Sequence, residues 1–214
     1  MEEMLRTLSL YDLTGYLIPG VVLVWSVIYV VNGILFRRDQ DHIKPGTFAT
    51  VVAGYIIGHL VQAIASFLEQ TLLRSQSLFW VPPNSFYASD AGFSDALSKT
   101  ITQIFGGVGQ NSPFILCQTY LRVHRLDAYT EIMQARYAFF RGLALALFIS
   151  GCAFAIEGLL RRRQPHRSRI FVLAILLLIG TLLSYSRMTR FENYYVDGVY
   201  RTFYVAAQAT TKSP

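Results

Sequence analysis

Residues 48–68 read FATVVAGYIIGHLVQAIASFL, 21 positions without Asp, Glu, Lys, Arg or Pro. An α-helix rises 1.5 Å per residue, so a run of about 20 residues crosses the roughly 30 Å hydrocarbon core of a bilayer. The run is not apolar all round. Tyr55, His59, Gln62, Ser66 and Glu69 are spaced 4, 3, 4 and 3. At about 100° per residue they lie within about 40° of one line. Polar groups in hydrocarbon are expensive unless protein or water meets them, so this stripe faces another helix or a wet path. Two readings stay open. One is a pore lining or proton-sensitive network, since His is the residue type whose charge changes near neutral pH. The other is a set of interhelical hydrogen bonds that holds a bundle together.

Beside the stripe runs a row of small residues, Thr50, Gly54 and Gly58. Such a row lets two helix backbones approach closely, within a chain or between chains. A second row, Gly142, Ala146, Ser150 and Ala153, leads to Glu157 in another apolar run, Arg141 to Leu160. Glu157 stands one turn before Arg161, which suits an acid–base pair at the boundary. Arg141, at the far end of the run, is expected to snorkel to the interface. Two further runs complete the set: LIPGVVLVWSVIYVVNGILF, Leu17 to Phe36, and IFVLAILLLIGTLLSYS, Ile170 to Ser186. Pro19 sits in a first turn, where its missing N–H loses no bond. The Leu17–Phe36 run is too long for a signal-peptide core, and Glu2 and Glu3 do not suit a basic leader, so it is read as uncleaved. The Ile170–Ser186 run has no polar side and predicts broad lipid contact.

The whole composition agrees. The chain has 214 residues, 53% of them apolar and only 15% charged, and its net charge is +6. Soluble domains carry about 25% charged residues, so this balance excludes a disordered chain and an ordinary soluble enzyme. Two cysteines, Cys117 and Cys152, exclude a disulfide scaffold and a cysteine-rich zinc fold. The expected fold is all-α: a polytopic membrane protein with four transmembrane helices and a helical extramembrane cap between spans two and three. Its parts are an interfacial segment 1–16, a transmembrane hairpin 17–73, the helical segment 74–137, a second transmembrane hairpin 138–186, and an amphipathic aromatic tail 187–214.

Within 74–137, WVPPNSFY (80–87) reads as an irregular turn. Phe93, Leu97, Ile101, Ile104 and Phe105 recur at helical spacing, and Gly106-Gly107 ends that helix. Further starts fall at Ser112-Pro113 and at Asp127. In the tail, Met188, Phe191, Tyr195, Val199, Thr202 and Ala206 share a face. The tail is either an interfacial helix or a continuation of span four packed on the cap; several tyrosine hydroxyls favour the second.

Catalytic signatures are missing. No Walker-type loop, HExxH, GxSxG or CxxC occurs, and the four histidines lie in four separate segments. No cofactor or metal is expected. An intramembrane enzyme would have to rely on His59 or Glu157, with no nucleophile and base paired by spacing. Arg161 and His166 have the spacing of some RNase motifs in HEPN domains, but they sit in a tight loop, RRRQPHRSR, between two spans. Arg161, Arg162, Arg163 and Arg167 suit a topology anchor, anionic lipid or a protein partner better than direct nucleic-acid binding.

Four strings, YDLTGYLIPG (11–20), GHLVQA (58–63), YAFFRGLA (137–144) and RFENYYVDGVYRTF (190–203), together resemble small four-span bacterial membrane proteins. Some of these are accessories of antiphage systems, such as membrane partners of type VI-B CRISPR effectors or the Kiwa system. The resemblance covers spans and tail and no active-site motif, so no functional residue carries over. It implies a non-enzymatic protein that oligomerises and perturbs, or reports on, the inner membrane. Membrane lipids, further copies of the chain and a cytoplasmic protein from the same operon are the expected partners. The alternative is an anchor that docks such a protein through the Arg-rich loops.

Arg37, Arg38 and Lys44 in one short loop and the Arg161–Arg169 cluster in another place those loops in the cytoplasm. Topology reporters fused at residue 214 and within 82–92 should therefore both report the outside. A cytoplasmic signal from either would reverse the orientation.

Overall fold

Each apolar run closes its backbone hydrogen bonds within itself, as a segment must in hydrocarbon. The computed structural model describes residues 12–35, 46–73, 91–106, 113–160 and 167–211. Among these residues the regular structure is entirely helical. A wide π-helical turn, Asp12–Leu17, leads into α1 (Ile18–Leu35). Next come α2 (Thr47–Leu68), continued by a second π-turn Glu69–Leu73, and then α3 (Ala91–Phe105) and α4 (Pro113–Val123). α5 (Ala128–Leu160) and α6 (Arg167–Thr211) complete the order. α1, α2, α5 and α6 are long and apolar enough to cross a membrane. α3 and α4 reach roughly 22 and 17 Å, too short to do so. The chain is an all-α, multi-pass membrane protein with four such helices.

It forms two units, Met1–Gln76 with Ala135–Met188, and Ser77–Gln134 with Thr189–Pro214. In the first, α1 and α2 pack backbone to backbone. A Cβ added at Gly20 would collide with the carbonyl of Gly54, and one at Gly58 with the carbonyl of Tyr16. The Thr50–Gly54–Gly58 row is therefore used inside the chain, and Gly20, part of no row in the sequence, is its counterpart on α1. Three of the four residues of the second row are also buried: Ala146 and Ser150 are fully enclosed, and Gly142 lies against the Gln62 side chain and Pro19, while Ala153 is half-buried. Phe154 joins Ile170 and Ala174 in a small core between α5 and α6. The apolar window of α6 is only 17% buried, against 39% in α5, so most of its apolar surface is open.

The second unit has its own core. Leu97 and Ile101 of α3, Cys117 and Leu121 of α4, and Val199, Phe203 and Ala207 of α6 pack together. Tyr120 meets Phe203 edge-on at 5.2 Å, and Gln118 donates to the Tyr195 hydroxyl at 2.6 Å. α6 runs unbroken from the fourth span to Thr211, and its last turns cover α3 and α4. The buried line in the tail is Tyr195–Val199–Phe203–Ala207, so Phe203 and Ala207 take the places expected for Thr202 and Ala206. The larger ring wins the interior because it removes more apolar surface from water. Burial pushes the Cys117 thiol up to about 12 and the Tyr200 phenol likewise to about 12, so both stay neutral at physiological pH. α4 ends in a left-handed residue, Arg125 (φ 57°), with Leu126 N–H bonded to the Leu121 carbonyl, and α5 starts straight after Asp127. The segment 80–87 lies outside the described residues.

Replacing Gly58 by Ala should force α1 and α2 apart and destabilise the bundle by about 1–3 kcal/mol, as overpacking does. Gly46→Ala, where a Cβ meets open space, should leave the thermal midpoint in detergent unchanged. Equal midpoints for both variants would refute the close approach.

Candidate functional site

On α2 the buried row and the polar stripe lie about 100° apart around the axis. Gln62 and Glu69 fall on the side of the stripe nearer the row, and His59 on the far side. Burial follows this geometry. Gln62 is 4% and Glu69 3% exposed, Tyr55 and Ser66 are half-buried, and His59 is exposed.

Gln62 ties three segments together. Its Nε2 donates to the Gly15 carbonyl, at 2.6 Å, and to the Ala138 carbonyl, also at 2.6 Å. Its Oε1 accepts from Nε of Arg141 at 3.1 Å. A primary amide has two N–H donors and one carbonyl, and all are occupied. The partners also fix its orientation, because a flipped amide would set an oxygen against two carbonyls. Gly15 lies in the π-turn before α1, a wide turn of the kind that recurs at functional sites.

Arg141 continues the network. Its Nη1 reaches Oε2 of Glu69 at 3.3 Å and the Tyr137 hydroxyl at 3.4 Å. The Tyr137 hydroxyl in turn donates to the same Glu69 oxygen at 2.5 Å. Arg141 thus turns inward, with its side chain only 15% exposed. The expectation that it snorkels to the interface is corrected: a carboxylate one helix away offers more than bulk water at the rim. The sequence placed Glu69 on the stripe but not Arg141 and Tyr137 beside it. The signal was the i, i+4 spacing of Tyr137 and Arg141, at the same membrane boundary as Glu69.

His59 has a different setting. It stands 12 residues into a 22-residue helix, at mid-span. Its ring stacks on Tyr16 at 3.9 Å and meets Tyr55 edge-on at 4.7 Å. Around it Ile56, Leu60 and Ile64 are exposed. Glu157 is 1% exposed, buried in the last turn of α5, and Arg161, its expected partner, lies outside the described residues. Arg161, Arg162, Arg163 and His166 lie outside the described residues, and of Arg167 only the backbone, at the start of α6, is described. Among the described residues no three His, Cys, Asp or Glu side chains converge to hold a metal ion. Chemically the site is a hydrogen-bond network of Gln62, Glu69, Tyr137 and Arg141 with one aromatic-framed imidazole at its edge. No family model, curated protein or solved structure matches the chain.

Removing one member of the network strands the others. Glu69→Leu should destabilise the bundle by about 3 kcal/mol, the lower end for breaking a buried ion pair, since Arg141 keeps some solvent. Adding Arg141→Met to that variant should recover most of the loss. Gln62→Glu, which sets a carboxylate against two carbonyls, should be worse than Gln62→Leu. Strictly additive effects in denaturant or thermal melts would count against a coupled network.

Proposed function

We propose that the chain is a non-enzymatic effector or sensor of the bacterial inner membrane that assembles from several copies and opens a path through the bilayer in antiphage defence. The observation that carries the reading is His59, an exposed polar ring at the middle of α2, framed by Tyr16 and Tyr55 and flanked by exposed Ile56, Leu60 and Ile64. An ionisable group facing acyl chains is costly, and such residues belong to bundle interiors or water-filled cavities. A second copy presenting the same α2 face supplies that interior. Closed rotational symmetry then brings the His59 positions to a common axis. Gln62 and Glu69 are held by their own chain, so the path in this reading is lined by Tyr55, His59 and Ser66. The defence role rests on the likeness of the four sequence strings to accessory membrane proteins of antiphage systems.

Ion flux through reconstituted protein tests the proposal. Vesicles carrying the wild-type chain should leak, and His59→Leu, at an exposed site that leaves the bundle intact, should cut the flux by about tenfold or more. A His59→Cys variant should cross-link between copies. Tight wild-type vesicles, or unchanged flux in His59→Leu, would overturn it.

A further inference from the structure

α2, α5 and α6 leave between them a cavity of about 310 Å³. Ala65, Leu68, Ala144, Phe148 and Leu182 form its apolar walls. Leu182 is 70% and Phe148 49% exposed, so the cavity opens sideways from the bundle, where a bilayer lies. Glu69 and Arg141 also line it. They stand where α2 ends and the apolar part of α5 begins, at the membrane boundary. Polar at the boundary and apolar inward is the polarity of a lipid.

The guanidinium is not fully used. Arg carries five N–H donors. Nε serves Gln62, Nη1 serves Glu69 and Tyr137, and Nη2 has no acceptor among the described residues. A planar guanidinium suits phosphate oxygens and is weakly hydrated, so it can take one beside an apolar wall. Size selects the rest of the ligand. One turn of helix, about 10 Å across and 5.4 Å high, occupies more than about 400 Å³ and does not enter the cavity. An extended acyl chain does, and it restores the dispersion contacts that an unfilled apolar gap forfeits. We propose that this cavity is a lipid site, which takes one acyl chain of an anionic phospholipid and sets its phosphate on Nη2 of Arg141.

Native mass spectrometry of the purified full chain tests this. Phosphatidylglycerol should bind about tenfold more tightly than phosphatidylcholine, a factor set by head-group charge. Inorganic phosphate alone should not displace it. Ala144→Leu, which fills the cavity, should weaken phosphatidylglycerol binding about tenfold while helix content is unchanged. Leu182→Trp at the rim should do the same and serves where the first variant folds poorly. Equal binding of the two lipids, displacement by free phosphate, or undiminished binding in both variants would overturn the proposal. A changed oligomer distribution in place of lost lipid would assign the cavity to a second copy.

Discussion

The bundle depends on one requirement: a hydrogen-bonding group inside hydrocarbon has to be met by protein. Gln62 is where this chain meets it most fully. One amide satisfies a carbonyl before α1, a carbonyl in α5 and the guanidinium of Arg141. Buried apolar contact holds spans together without choosing a register. An amide with every group committed does choose one, because a shift of one residue leaves donors unmet. Arg141 then fixes Glu69 and Tyr137, and through them the relation of α2 to α5. Neighbouring packing serves the same end: Gly142 has no side chain where Gln62 reaches across.

Much of the fold was legible because the bilayer imposes length. The four runs match α1, α2 and the apolar parts of α5 and α6, and two helices start at Pro113 and straight after Asp127, where the sequence marks starts. The Thr50–Gly54–Gly58 row was legible as a close-packing surface through its spacing. Periodicity, however, reports which face of a helix is unusual and not what lies opposite. Gly15 and Gly20 meet α2 through backbone atoms, which carry no residue-type signal. Arg141 near a boundary looks the same whether it reaches outward to water or inward to Glu69, 72 positions earlier in the chain. In the tail, aromatic rings at neighbouring positions blurred the face by one residue, and only the rings of α3 and α4 decide it.

The polar stripe divides by the same logic. Its angular width is enough that one edge enters the bundle and the other leaves it. Gln62 and Glu69 serve the chain's own cohesion, while His59, stacked on Tyr16, stays at the surface. A stripe read as one functional unit is thus two, and they answer to different demands. The inner half is coupled, so its members are sensitive together. The outer half is free to vary with whatever covers it.

The contact of Gly20 with Gly54 and of Gly58 with Tyr16 has a mechanical meaning. At these two points no side chain stands between the backbones, so they have little slack there. Sliding one past the other would drive a residue with a side chain against a backbone carbonyl. The α1–α2 seam is therefore the part of the bundle least able to slide, and the border with α5 is held differently. There the links are hydrogen bonds, Gln62 to the Ala138 carbonyl and Tyr137 and Arg141 to Glu69, and the long cationic side chain among them can exchange one oxygen for another without letting go.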